Sequence, residues 1–176
     1  MRIIVCPLIS LESVIDTHAP SHVISLLSPG TMIETPAGIE RSGHLAVEVN
    51  DIDAPMDGLV HPEDRHAQAV LDFVAAWAND PREDPPIAIH CYAGISRSMA
   101  SAFLALCALN PAADEAAIAA DLRSAAPFAK PNPLLVQSGD RLLDRGGRMV
   151  AALEAMGEAQ FAPLGVPVFL SARMAG

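Results

Sequence analysis

The sequence predicts an α/β fold, a single domain with a mostly parallel central sheet flanked by helices. Three observations predict it. Four short apolar runs, several rich in β-branched residues, read as buried strands. Helical patterns lie between the later runs and then close the chain. Polar clusters follow the ends of the apolar runs, where parallel sheets place their sites.

The elements follow in order. "RIIVCP" (Arg2 to Pro7) is the first strand, and Leu11 to Ala19 a short helix. "HVISLLS" (His22 to Ser28) and "HLAVEVN" (His44 to Asn50) are the second and third strands, with a loop from Glu34 to Gly43 between them. Pro62 and acidic residues open a helix in which Val70, Phe73, Val74 and Trp77 recur at helical spacing, so Trp77 is core. "NDPREDPP" ends it with three prolines. "PIAIHC" (Pro86 to Cys91) is the fourth strand. Helices are expected from Ser96 to about Leu109, from Ala112 to Ser124, and from Leu134 to about Leu143. The Gly146–Gly147 pair would loosen or kink any continuation. Residues 1–176 read as one catalytic domain with a core of about 1–158; the tail, 159–176, is an irregular packed segment or an edge strand.

Composition narrows the function. The chain has 176 residues, 51% of them apolar, enough for a self-sufficient core. Its charge is -10, and its 11 Lys and Arg are scattered, so neither nucleic acid nor an anionic membrane is an expected partner. "MRIIVCPLIS" is read as a strand rather than a leader, no apolar stretch reaches membrane-spanning length, and cytoplasm is the expected compartment. Cys6, Cys91 and Cys107 form no CxxC pair, and Cys6 and Cys107 lie in apolar runs as core residues. The six histidines have no ligand spacing, so no metal site is expected; no cofactor is expected either.

The stretch "AIHCYAGISRSMAS" carries the chemistry. A strand delivers Cys91 to the sheet edge, and a helix starts a few residues later. The loop between has unpartnered N–H groups, as does the first turn of the helix. Pointed inward, they form an anion nest. Gly94 allows a backbone conformation that a side chain would forbid. Arg97 adds a permanently charged fork that can grip two phosphoryl oxygens. The same field favours the ionised form of Cys91, and a thiolate beneath a bound phosphate is placed for in-line attack. Ser98 could hydrogen-bond the sulfur and ease its departure. His90 is expected to hold the loop's shape. The leaving oxygen needs a proton from a carboxylic acid on a facing loop. Asp51, Asp53 and Asp57 compete for that role; Asp51, directly after the third strand, is the best anchored. A loop cap is the rival role for Asp51, and an ordinary early-helix position the rival for Ser98.

"HCYAGISRS" matches the His-Cys-x5-Arg-Ser/Thr signature and resembles the cysteine-dependent protein tyrosine phosphatase superfamily, in its compact dual-specificity-like or prokaryotic branch. The resemblance runs from about Val23 to Leu143 and implies a phosphatase-like fold. It implies Cys91 as nucleophile, Arg97 as phosphate ligand and transition-state stabiliser, and Ser98 as the hydroxyl assisting thiolate release. The amides of Tyr92, Ala93, Gly94, Ile95, Ser96 and Arg97 would hold the phosphate oxygens. "VNDIDAP" is similar to the family's acid loop and points to Asp51, although the interval to the next helix is longer than in typical compact members, which keeps Asp53 and Asp57 open. "AKPNPLLVQ" resembles the late segment where an asparagine opens a helix near the site, and gives Asn132 a supporting role.

The activity implied is hydrolysis of phosphotyrosine monoesters, with phosphoserine and phosphothreonine as further candidates, through a phosphocysteine and without a metal. A phosphorylated protein or small phosphomonoester would be the partner. The chain departs from the family in lacking a clear phosphotyrosine-clamping aromatic loop near its start. It also lacks the cradle lysines common in lipid phosphatases. Two other readings are a non-catalytic phosphopeptide-binding module and a thiol-based arsenate reductase or sulfurtransferase.

Overall fold

The computed structural model describes residues 1–80 and 85–173. Pro81, one of the three prolines expected to stop the second helix, lies outside the described residues. Strands β1 (Arg2–Pro7), β2 (His22–Leu27), β3 (His44–Glu48) and β4 (Ile87–Cys91) pair in parallel, and β5 (Val168–Ser171) runs antiparallel along β1. The order across the sheet is β3-β2-β4-β1-β5. Among the described residues the tail therefore supplies an edge strand, preceded by an irregular segment. In β1, β2 and β4 nearly every residue is buried, as expected of strands covered on both faces.

The pleat sorts their side chains. Ile3, Val5, Ile24, Leu26, Ile87 and Ile89 belong to the larger core. Ile4, Cys6, Val23 and Ala88 turn to the other face and meet Leu11, Val14 and Ile15. Those three residues belong to α1 (Leu11–His18), which covers that face. On the larger side lie α2 (Asp64–Ala78), α3 (Arg97–Leu109), α4 (Glu115–Ala125), α5 (Pro133–Leu142) and α6 (Arg148–Ala155). Helix α3 is buried from Arg97 to Cys107, and its high alanine content lets α2, α4 and α5 pack around it. Trp77 is fully buried, and its indole N–H donates to the Pro85 carbonyl at 2.8 Å. Cys6 and Cys107 are both buried core residues, and burial pushes both thiols up to about 12.

The expected continuation past Gly146–Gly147 is a full break. Asp144, Gly146 and Gly147 all have positive φ, so the chain reverses between α5 and α6. The Asp140 carboxylate accepts from the backbone N–H groups of Gly147 (2.6 Å) and Met149 (2.8 Å), capping the new helix. No described helix is long and apolar enough to cross a membrane.

Candidate active site

Strand β4 brings Cys91, 1% exposed, to the C-terminal edge of the sheet. The loop 92–96 then turns into α3. Four of its five carbonyls are tied from outside. The Tyr92 carbonyl accepts from Leu8 N–H (3.2 Å), Ala93 from Gly165 (2.8 Å), Ile95 from Lys130 (3.0 Å) and Ser96 from Asn132 (3.4 Å). With the carbonyls turned outward, the peptide units leave N–H groups for the interior of the loop. Gly94 has φ +71°, and a Cβ there would lie 2.6 Å from the Pro7 nitrogen and 2.8 Å from the Cys6 carbonyl carbon. Conformation and contact both demand glycine.

Two groups reach the sulfur. Ser98 Oγ lies 3.2 Å from Cys91 Sγ, and the Gly94 N–H donates to the same sulfur at 3.3 Å. Arg97, the first residue of α3, is nearly buried, with 6% of its side chain exposed. Its Nη1 donates to the Val49 carbonyl at 2.8 Å, whereas its buried Nε has no hydrogen-bond partner. The guanidinium thus joins the start of α3 to the segment leaving β3.

That segment carries the three aspartates. Asp51 is held against the loop: its Oδ1 accepts from Ser96 Oγ at 2.5 Å and from Asn132 Nδ2 at 3.1 Å, and its Oδ2 lies 3.9 Å from Arg97 Nε. Its side chain is still 37% exposed. Asp53 lines the same cleft of about 370 Å³, with Ser96, Lys130 and Asn132. Among the described residues neither Asp53 nor Asp57 hydrogen-bonds the loop. Asn132 is the hub. Its Nδ2 also donates to the Ile52 carbonyl (3.0 Å), while its Oδ1 accepts from the N–H groups of Leu134 and Leu135 as the N-cap of α5, with Pro133 at N1.

His90 is fully buried beneath the loop, and its Nε2 lies 2.6 Å from Ser25 Oγ on the neighbouring strand. Burial pushes its pKa down from 6.5 to about 4, so the ring is neutral at pH 7. His90 is thereby tied to β2. Of the loop after Ser28, Thr35 reaches this cluster through His44, which shares Ser25 with His90. Among the described residues no group of three or more His, Cys, Asp or Glu could hold a metal ion.

Sequence reasoning missed four parts of this arrangement. The Ser96 position suggests a role for its amide alone, yet its hydroxyl holds Asp51. Ser25 had a readable signal, a hydroxyl within an otherwise apolar strand. The Val49 carbonyl and the Gly165 amide are backbone groups and carry none.

No family model matches the chain, and no curated protein matches it in sequence. In fold it is similar to the crystal structure of DUSP15, with TM-score 0.59 and 17% identity over 91% of this chain and 92% of that one. It is similar to human DUSP28, with TM-score 0.59 and 16% identity over 81% and 92%. It also resembles the Cydia Pomonella PTP-2 phosphatase, with TM-score 0.56 and 15% identity over 94% and 92%. The fold is that of the dual-specificity and tyrosine phosphatases.

Proposed function

We propose that the protein is a phosphoric monoester hydrolase that acts on phosphotyrosine, and on phosphoserine and phosphothreonine where they reach the loop. One observation carries the reading: a loop whose carbonyls are tied outward sits above a buried cysteine, with an arginine at its end. Such a loop presents N–H groups to a phosphoryl dianion, and Arg97 supplies the fixed positive charge. The solved structures that share the fold are named as phosphatases, which supports the same reading.

The chemistry balances in two steps. Cys91 Sγ forms a bond to phosphorus as the bond to the leaving oxygen breaks, and Asp51 gives that oxygen its proton. Water then attacks the phosphocysteine, and Asp51 takes its proton. The S–P bond breaks with the electron pair returning to sulfur, a departure that a hydrogen bond from Ser98 eases. Asn132 and Ser96 aim the Asp51 carboxyl, and His90 supports the loop floor. Tyr92, Ala93, Gly94, Ile95, Ser96 and Arg97 supply the amides.

Thiol chemistry with a resolving cysteine is less well supported. Cys6 packs on the α1 face of the sheet, Cys91 on the opposite face, and Cys107 is buried further along α3. The test is turnover of an aryl phosphate under rapid mixing. A burst of aryl alcohol that disappears in Cys91→Ser is the expected result, and unimpaired turnover by that variant would overturn the mechanism. A panel of phosphotyrosine, phosphoserine and phosphothreonine peptides then ranks the substrates.

A further inference from the structure

Residues 157–167, between α6 and β5, cross the outer wall of the phosphate loop. Both ends of this strap are fastened. At one end Arg123 Nη2 donates to the Gly157 carbonyl (3.3 Å), and the Gln160 N–H donates to the Pro127 carbonyl (3.0 Å). At the other, β5 pairs with β1, the strand that leads into Leu8 and its bond to Tyr92. Gly165 is buried between them, whereas Phe161 is 94% exposed.

Gly165 meets the loop backbone directly. Its N–H donates to the Ala93 carbonyl at 2.8 Å. A Cβ on it would lie 2.9 Å from Phe128 Cε2, 3.0 Å from the Gly94 oxygen and 3.1 Å from the Ala93 oxygen. The peptide unit it grips is the one that joins Ala93 to Gly94, and the N–H of that unit points at Cys91 Sγ, 3.3 Å away. Because a peptide unit is planar and rigid, fixing its carbonyl fixes its N–H. Glycine is the residue beside which such a unit rotates most easily, so the loop needs an outside constraint at this point.

We propose that Gly165 is a positioning residue: the strap locks the Ala93–Gly94 peptide with its carbonyl outward and its N–H on the site. The catalytic consequence rests on the phosphatase reading above; the conformational one does not. Gly165→Ala keeps the N–H but crowds the loop oxygens, and Phe169→Ala, on the exposed side of β5, is the control for general loss of tail stability. Hydrogen exchange of amides 92–96 reads the loop directly, and is expected to rise about tenfold in Gly165→Ala but not in Phe169→Ala. Affinity for inorganic phosphate and kcat/KM for an aryl phosphate are expected to fall about tenfold in parallel. Unchanged exchange and unchanged phosphate affinity in a folded Gly165→Ala protein would overturn the proposal. If the wild-type protein lacks turnover while Gly165→Ala still raises exchange, the phosphatase reading fails and the positioning role stands. If Gly165→Ala does not fold, Gln160→Pro, which deletes the exposed upstream tie to Pro127, carries the same measurement: raised exchange supports the lock, and unchanged exchange refutes it.

Discussion

The Ser25 hydroxyl sits between two histidines, 2.6 Å from His90 Nε2 and 2.7 Å from His44 Nε2. These three residues lie on adjacent strands, so one hydrogen-bonded chain crosses the sheet from beneath the loop 92–96 to β3. It continues to Thr35, whose Oγ1 is 3.3 Å from His44 Nδ1. A hydroxyl has a single proton to give, so at least one of the two rings must donate to it. Ser25→Ala removes the shared partner and leaves a buried His90 nitrogen unsatisfied. The expected loss of stability is about 1–3 kcal/mol, measured by urea unfolding at pH 7.5.

The same ring predicts acid sensitivity. His90 titrates at about 4 in the folded protein and near 6.5 when exposed. Between those values the unfolded chain holds a proton that the folded chain does not. Its contribution is therefore complete above pH 6.5 and is lost as pH falls toward 4, at a slope of about 1.4 kcal/mol per pH unit. Burial also lowers His66 and His44, which add slope of the same sign. Glu115 acts in a lower window. Burial works to raise its carboxyl, but the Arg148 hydrogen bond and the charges of Arg148 and Arg145 outweigh it, so its pKa ends below the usual value. Urea midpoints should fall between pH 7 and pH 5. His90→Gln should flatten that dependence by about one proton, even though the variant is weaker at every pH.

Asp51 is the next test. It is tied to Ser96 and Asn132, whereas among the described residues Asp53 and Asp57 make no such bond. Asp51→Asn should lower kcat about 100-fold or more for a phosphate ester with a poor leaving group. Asp53→Asn and Asp57→Asn should stay within about twofold, a margin set by the larger general acid effect. Equal losses in all three variants would mean that the loop's charge matters rather than one placed carboxyl.

Legibility in the sequence followed the range of the interactions. The strands and α2 were readable because local composition and spacing decide which face is buried, as at Val70, Val74 and Trp77. The sharp turn from β4 into α3 was readable because His90, Cys91, Gly94, Arg97 and Ser98 sit within nine residues. Asp51 could be ranked above its neighbours only by its distance from a strand end; the bonds that hold it come from Ser96 and from Asn132, 81 positions away. The strap was beyond reach because its contact uses a glycine amide, and a glycine in a tail resembles any other. The break between α5 and α6 was half legible. The paired glycines pointed to a loosening or kink, whereas the full break rests on Asp140, whose contacts to Gly147 and Met149 no local pattern announces.

Arg145 supplies the last prediction. It is 7% exposed and donates to Glu115 Oε1 at 2.9 Å, where the carboxylate is 3% exposed. Its Nη2 also donates to the Cys107 carbonyl, tying the loop after α5 to the end of the helix that begins at Arg97. Arg148 bonds the same carboxylate, but 58% of its side chain is exposed. Arg145→Met leaves the buried carboxylate to Arg148 alone, strands the Cys107 and Pro111 carbonyls, and should cost about 1–3 kcal/mol for each acceptor left unpaired. Arg148→Met should cost about 1 kcal/mol or less, because solvent already screens that pair. Paired chemical denaturation of the two variants measures the difference. Similar losses would show that the two guanidinium groups share the carboxylate equally in solution, against the burial that separates them here.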